Sequence, residues 1–140
     1  MKKIFVDCDV ILDVLMKRTP HYIQASDLFS LIERKEIHGF TSPLVYANVY
    51  YILSQEKPKE DVMRYLQKLR LHLSILNLNE MILDMALLSD FKDFEDAIQY
   101  HVALESKMDC IVTRNIKDYK LSKLPVYSPF EYLSVHKALQ

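Results

Sequence analysis

FVDCDVILDVL, residues 5–15, decides how this chain of 140 residues is read, because an otherwise apolar run carries Asp7, Asp9 and Asp13. Ionised carboxylates are costly to bury unless a hydrogen bond, a cationic partner or a metal ion offsets the desolvation. Upstream, Ile4-Phe5-Val6 has the composition of a buried strand; downstream, Val10 to Met16 has that of a helix. Asp7 is then the first residue past a strand. Asp9 is placed to cap the helix, and Asp13, one turn on, reads as part of a solvated helix face. Asp7 has no such structural explanation.

Working outward, the same alternation of short apolar runs and longer amphipathic ones repeats along the chain. Strands are expected at Ile4 to Val6, Ile37 to Thr41, Ser74 to Leu78, Cys110 to Thr113 and Pro125 to Tyr127. Helices are expected over 10–16, 21–35, 43–54, 59–71, 80–89, 94–107 and 129–138. Ser42-Pro43 and Ser128-Pro129 are N-caps followed by proline at the first helical position, and Pro58 begins another helix. Crossovers of this length demand parallel strands covered on both faces. The expected fold is a three-layer α/β/α sandwich with a central parallel sheet of about five strands, formed by residues 1–140 as one domain.

Composition narrows the function. Half of the residues are apolar and the formal net charge is −1, so bulk charge draws neither nucleic acid nor anionic membrane. A lone glycine, Gly39, excludes the glycine-rich loops that cradle nucleotide phosphates. Two cysteines, Cys8 and Cys110, make neither a disulfide framework nor a metal cluster. The five histidines show no ligand spacing, and His101 reads as a hydrogen-bonded core residue. Asp7 and Asp9 interrupt the first apolar stretch before it reaches signal-peptide length, and no uncharged run approaches the roughly 18 residues of a membrane span. A cytoplasmic protein without membrane partners is expected.

In open parallel sheets ligands bind beyond the carboxyl ends of the strands. Asp7 lies there. A second acidic cluster, DFKDFEDA (residues 90–97), opens a helix that Asp93 can cap, with Glu95 and Asp96 favouring its positive end. Phe94, Ala97, Ile98, His101 and Leu104 mark the expected packed stripe, with Asp96 at its edge. Glu95 is turned about 100° away, which makes Asp96 the choice and Glu95 the fallback. The third piece, CIVTRNIKDY (residues 110–119), ends a strand in Thr113, Arg114 and Asn115, with Lys117 close behind. Such a charge run is commonly a solvated face, but beside acids it suits phosphates. Hard oxygen donors without cysteine or histidine clusters suit Mg²⁺ or Mn²⁺. Tyr46, Tyr50 and Tyr51 on the third helix read as half-buried packing or dimer contacts rather than base-stacking platforms.

Four segments in order, FVDCDVILDVL, TSPLVYANVYYIL, DFEDAIQYHVALE and IVTRNIKDY, followed by LPVYSPFEYL, give the chain a pattern that resembles the PIN-domain family of metal-dependent ribonucleases, the family of the VapC-type toxins. The resemblance implies an endoribonuclease, the toxin half of a toxin–antitoxin pair, leaving products with a 5′-phosphate. Asp7 and Asp96 match the family's metal-binding aspartates and Asn115 its last acidic or amide position. Arg114, Lys117 and Thr113 become candidate RNA contacts; an antitoxin and a second copy of the chain become candidate partners. Asn48 departs from the pattern, since the third helix usually supplies a glutamate there, and it joins the candidate catalytic set as an amide. Asp7, Asp96 and Asn115 are expected to converge on one pocket with Asn48 at its rim. Two rivals stand beside this reading. One takes FVDCDV as the motif of a haloacid dehalogenase-like phosphatase, with Asp7 as nucleophile and Asp9 as general acid. The other is a PIN fold, emptied by Asn48, that only binds RNA or protein.

Overall fold

In a computed structural model that describes residues 1–140, five parallel strands form one sheet. They are β1 (Lys3–Val6), β2 (His38–Thr41), β3 (Leu73–Ile75), β4 (Cys110–Val112) and β5 (Val126–Tyr127), in the order β3-β2-β1-β4-β5. Seven helices cover it: α1 (Cys8–Leu15), α2 (Tyr22–Glu33), α3 (Pro43–Leu53), α4 (Lys59–Arg70), α5 (Glu80–Leu87), α6 (Phe94–Glu105) and α7 (Pro129–Ala138). The result is the expected three-layer α/β/α architecture. The central strands are apolar throughout because both faces are covered: Ile4, Phe5, Val6, Ile111 and Val112 are all fully buried. No helix is long and apolar enough to cross a membrane.

The topology fixes where a site belongs. From β1 the chain builds outward through β2 and β3, then returns to the other side of β1 with β4 and β5. The order therefore reverses between β1 and β4, where Val6 pairs with Val112. A crevice opens outside the strand ends at such a reversal. Asp7 and Thr113 are the next residue on each strand, and the Asp7 amide donates to the Val112 carbonyl at 3.0 Å.

Helix boundaries follow local chemistry. Ser42 and Ser128 cap α3 and α7 as expected, Ser128 in a reciprocal capping box with Glu131. Asn79 caps α5, and this ends β3 at Ile75 rather than Leu78. The one glycine serves packing: a Cβ at Gly39 would lie 2.7 Å from side-chain ends of Ile32 on α2 and Leu73 on β3, which would have to shift to admit it.

Three expectations are corrected. The cap of α1 is Asp7, whose side chain accepts from the Cys8 amide, and Asp9 lies inside the first turn. Asp13 is fully buried rather than solvated. The buried face of α6 runs through Ala97, Tyr100 and Ala103 with Gln99 and Val102, so it is rotated from the stripe read in the sequence, and Phe94 is exposed. Gln99, which that stripe left out, is held inside by a 2.7 Å bond from the Ser42 hydroxyl.

Candidate active site

A cleft of about 480 Å³ opens at the β1–β4 crevice and is lined by Asp7, Asp9, Asn48, Glu95, Asp96 and Asn115 among others. The four residues expected to converge, Asp7, Asp96, Asn115 and Asn48, do so. Two sequence-distant elements deliver the acids, the end of β1 with the start of α1 and the first turn of α6, while α3 and the segment after β4 bring Asn48 and Asn115.

Asp7 is almost wholly buried. Its carboxylate accepts from the Cys8 amide at 2.8 Å, from the Thr113 hydroxyl at 2.9 Å and from the Tyr119 phenol at 3.2 Å. The Tyr119 phenol also lies 3.3 Å from Asp96 Oδ1. One phenolic proton is thus divided between two carboxylates, which are close enough to share a hydrated ion. Burial first, and then the Asp9 charge, push Asp7 up to about 6 despite the three donors. Burial and the charges of Asp7, Asp93 and Asp118 push Asp96 up to about 7. Neither carboxylate takes part in any of the protein's ion pairs.

Asp9 accepts from the Arg114 amide at 3.0 Å through Oδ2, while its Oδ1 is buried without a partner. Burial raises the proton affinity of this group too. Cys8, between the acids, is held up at about 12 by burial and by Asp7 and Asp9, so it is no nucleophile.

The fit to a divalent cation follows from these donors. Every candidate is a hard oxygen, one is an orphaned buried carboxylate oxygen, and no protein cation offsets Asp7 or Asp96. No three His, Cys, Asp or Glu side chains form a ready-made cage. This set suits Mg²⁺ or Mn²⁺, which bind through one or two carboxylates and keep several waters. Asn115, exposed at the start of the short 3-10 turn Ile116–Tyr119, offers its side-chain amide to the cleft without an internal capping bond.

Other expectations move. Thr113, expected among RNA contacts, is fully buried and instead orients Asp7 while accepting from the Asn115 amide. Arg114 lines the cleft, but its guanidinium grips Asp13 at 2.5 and 3.1 Å. Arg18 completes that cluster, donating to Asp13 at 2.9 Å and to the Asp9 carbonyl at 3.1 Å. Lys117 faces a neighbouring depression with Asp90, Lys92 and Asp93. Glu95, the fallback, does reach the cleft, where Asn48 Nδ2 donates to it at 2.7 Å. Tyr51 is exposed on the cleft wall rather than half-buried. His101 is not hydrogen-bonded: both ring nitrogens are buried without partners, and burial lowers its proton affinity.

Sequence reasoning missed Tyr119. It lies 23 residues from Asp96 and 112 from Asp7, and the only local signal is its place three residues after the turn begins.

The PIN-domain profile matches residues 3–117. The chain belongs to the PIN-domain family. Solved structures agree on the fold. The complex VapBC-1 from nontypeable Haemophilus influenzae superposes with a TM-score of 0.67 at 16% identity, over 91% of this chain and 98% of that one. VapBC2 from Rickettsia felis, bound to a DNA fragment from its promoter, gives 0.66 at 18% identity over 89% and 96%. VapC20 of Mycobacterium tuberculosis, a toxin that cleaves the sarcin-ricin loop, gives 0.61 at 16% identity over 77% and 86%. No curated protein sequence matches at a significant level. With the PIN family established, the phosphatase reading of Asp7 and Asp9 loses its basis.

Proposed function

We propose that the cleft is the active site of a Mg²⁺- or Mn²⁺-dependent endoribonuclease. The observation that carries this reading is the Asp7–Tyr119–Asp96 bridge: two desolvated acids share one phenol, and the protein supplies no cation to either. Asp7 and Asp96 hold the metal, and Asn48 and Asn115 provide neutral donors at the rim. When bound, the ion lowers the pKa of a coordinated water and offsets charge on the scissile phosphate. Thr113 and Tyr119 fix the Asp7 carboxylate, and Asn115 stands at the open side where a backbone would pass. Arg18 and Arg114, both lining the cleft, provide a positive rim despite their ties to Asp13. Lys117 stands outside the cleft, in the neighbouring depression with Asp90, Lys92 and Asp93.

The toxin role and an antitoxin partner draw support from structural neighbours that are VapBC complexes. Purified protein should cleave RNA with Mn²⁺ and stop on chelation. Cleavage that persists in excess chelator, or an Asp96→Asn variant as active as the wild type, overturns the reading.

A further inference from the structure

The helix phase of α6 makes Glu95 more than a capping charge. Glu95 precedes Gln99 by four residues, so the two side chains lie on one helical face. Gln99 is buried and takes the Ser42 hydroxyl at the start of α3. That buried tie aims the whole face at α3, and one turn nearer the cleft Glu95 meets Asn48 at 2.7 Å. Two hydrogen bonds thus join α6 to α3, a buried one at Gln99 and an exposed one at Glu95.

The exposed bond also settles what position 48 must be. A carboxylate there would face the Glu95 carboxylate at hydrogen-bond distance, where like charges repel; an amide donates instead. Glu95 engages no lysine or arginine in an ion pair, so its charge stays available on the cleft wall beside Asp7 and Asp96.

We propose that Glu95, steered by Asn48, is the carboxylate arm of the cleft on the α3 side, accepting hydrogen bonds from the hydration shell of the divalent ion. The charge that a third-helix glutamate would bring is delivered from α6 and held by the amide on α3. This inference rests on the metal-site reading given above. An acceptor in this outer position changes metal affinity by about 10- to 100-fold when removed.

The test is Mn²⁺ titration calorimetry on metal-free wild type, Glu95→Gln, Asp96→Asn and the exchange double variant Asn48→Glu/Glu95→Gln, with melting curves to verify folding. Glu95→Gln is expected to weaken Mn²⁺ by about tenfold or more. The double variant returns the carboxylate with donor and acceptor exchanged, and should recover most of the affinity. Wild-type affinity in Glu95→Gln, or a double variant as weak as the single one, overturns the proposal. If Asp96→Asn abolishes binding while Glu95→Gln matches wild type, only the role of Glu95 falls. If the wild type takes up no Mn²⁺, the metal site and this arm fall together.

Discussion

Asp13 and Asp7 belong to the same short helix, as a buried residue and as its cap, and the protein treats them in opposite ways. Asp13 is fully buried and gripped by two arginines, Arg18 and Arg114, so its charge is answered from within. Asp7 is nearly as buried, yet it meets only neutral donors and another acid, Asp96, through Tyr119. The first is a closed ion cluster that ties α1 to the end of β4. The second is an open one, in which no arginine or lysine pairs with either acid. On the reading proposed above, the difference separates a structural buried acid from a functional one.

The largest expected effect tests the open cluster. Asp96→Asn should lower metal-dependent RNA cleavage by at least about 10³-fold, equivalent to roughly 4 kcal/mol of barrier, while the metal-free variant melts no lower than wild type because a repulsive charge has gone. A lower melting temperature in the metal-free variant would show that Asp96 is a structural acid like Asp13.

Next comes the closed cluster. Asp13→Ala leaves two arginines facing an apolar gap and should cost about 3–5 kcal/mol, the usual loss when one partner of a buried ion pair is removed. Urea unfolding measures it. A loss below about 1 kcal/mol, the range of exposed pairs, would erase the contrast.

The contrast also has a pH signature. Asp7 and Asp96 bind protons more tightly in the folded state, near 6 and 7, than in the unfolded chain. The native state therefore holds more protons between the unfolded carboxylate pKa and about 7, and metal-free stability must fall as pH rises through that window. Melting temperature should be higher at pH 5.5 than at pH 7.5 without metal. Saturating Mn²⁺, or the Asp96→Asn change, should flatten the slope, and a metal-free protein that gains stability toward pH 7.5 would refute the open cluster.

The smallest effect concerns the bridge itself. Tyr119→Phe removes one shared hydroxyl and should change stability by about 1 kcal/mol, with a modest fall in cleavage and a steeper pH slope. An unchanged slope would mean that the phenol does not mediate between the acids.

Much of this was legible in the sequence because local signals and tertiary demands agree. Apolar triplets such as Ile4-Phe5-Val6 are buried on both faces, and serine-proline caps begin α3 and α7 where expected. Asp7 and Asp96 meet in one cleft, as expected, because strand ends and helix starts can be read locally. Asp13 was misread because one of its two arginine partners, Arg114, lies 101 residues away and does not show in a local pattern. The α6 stripe was misplaced because Gln99, left out of it, meets a buried hydroxyl partner that reverses the usual outward preference of an amide. Both errors have one origin: a polar side chain goes inside when a distant partner meets it, and a linear pattern does not reveal that partner.

The long span of these contacts also sets an order in time. Asp7 precedes Thr113 and Tyr119, which orient it, by 106 and 112 residues. A growing chain that lacks β4 thus exposes the first acid with nothing to aim it, and its second half must dock before the cleft exists. For a protein whose proposed substrate includes the RNA around it during synthesis, a chain folded only as far as β3 would lack the proposed site.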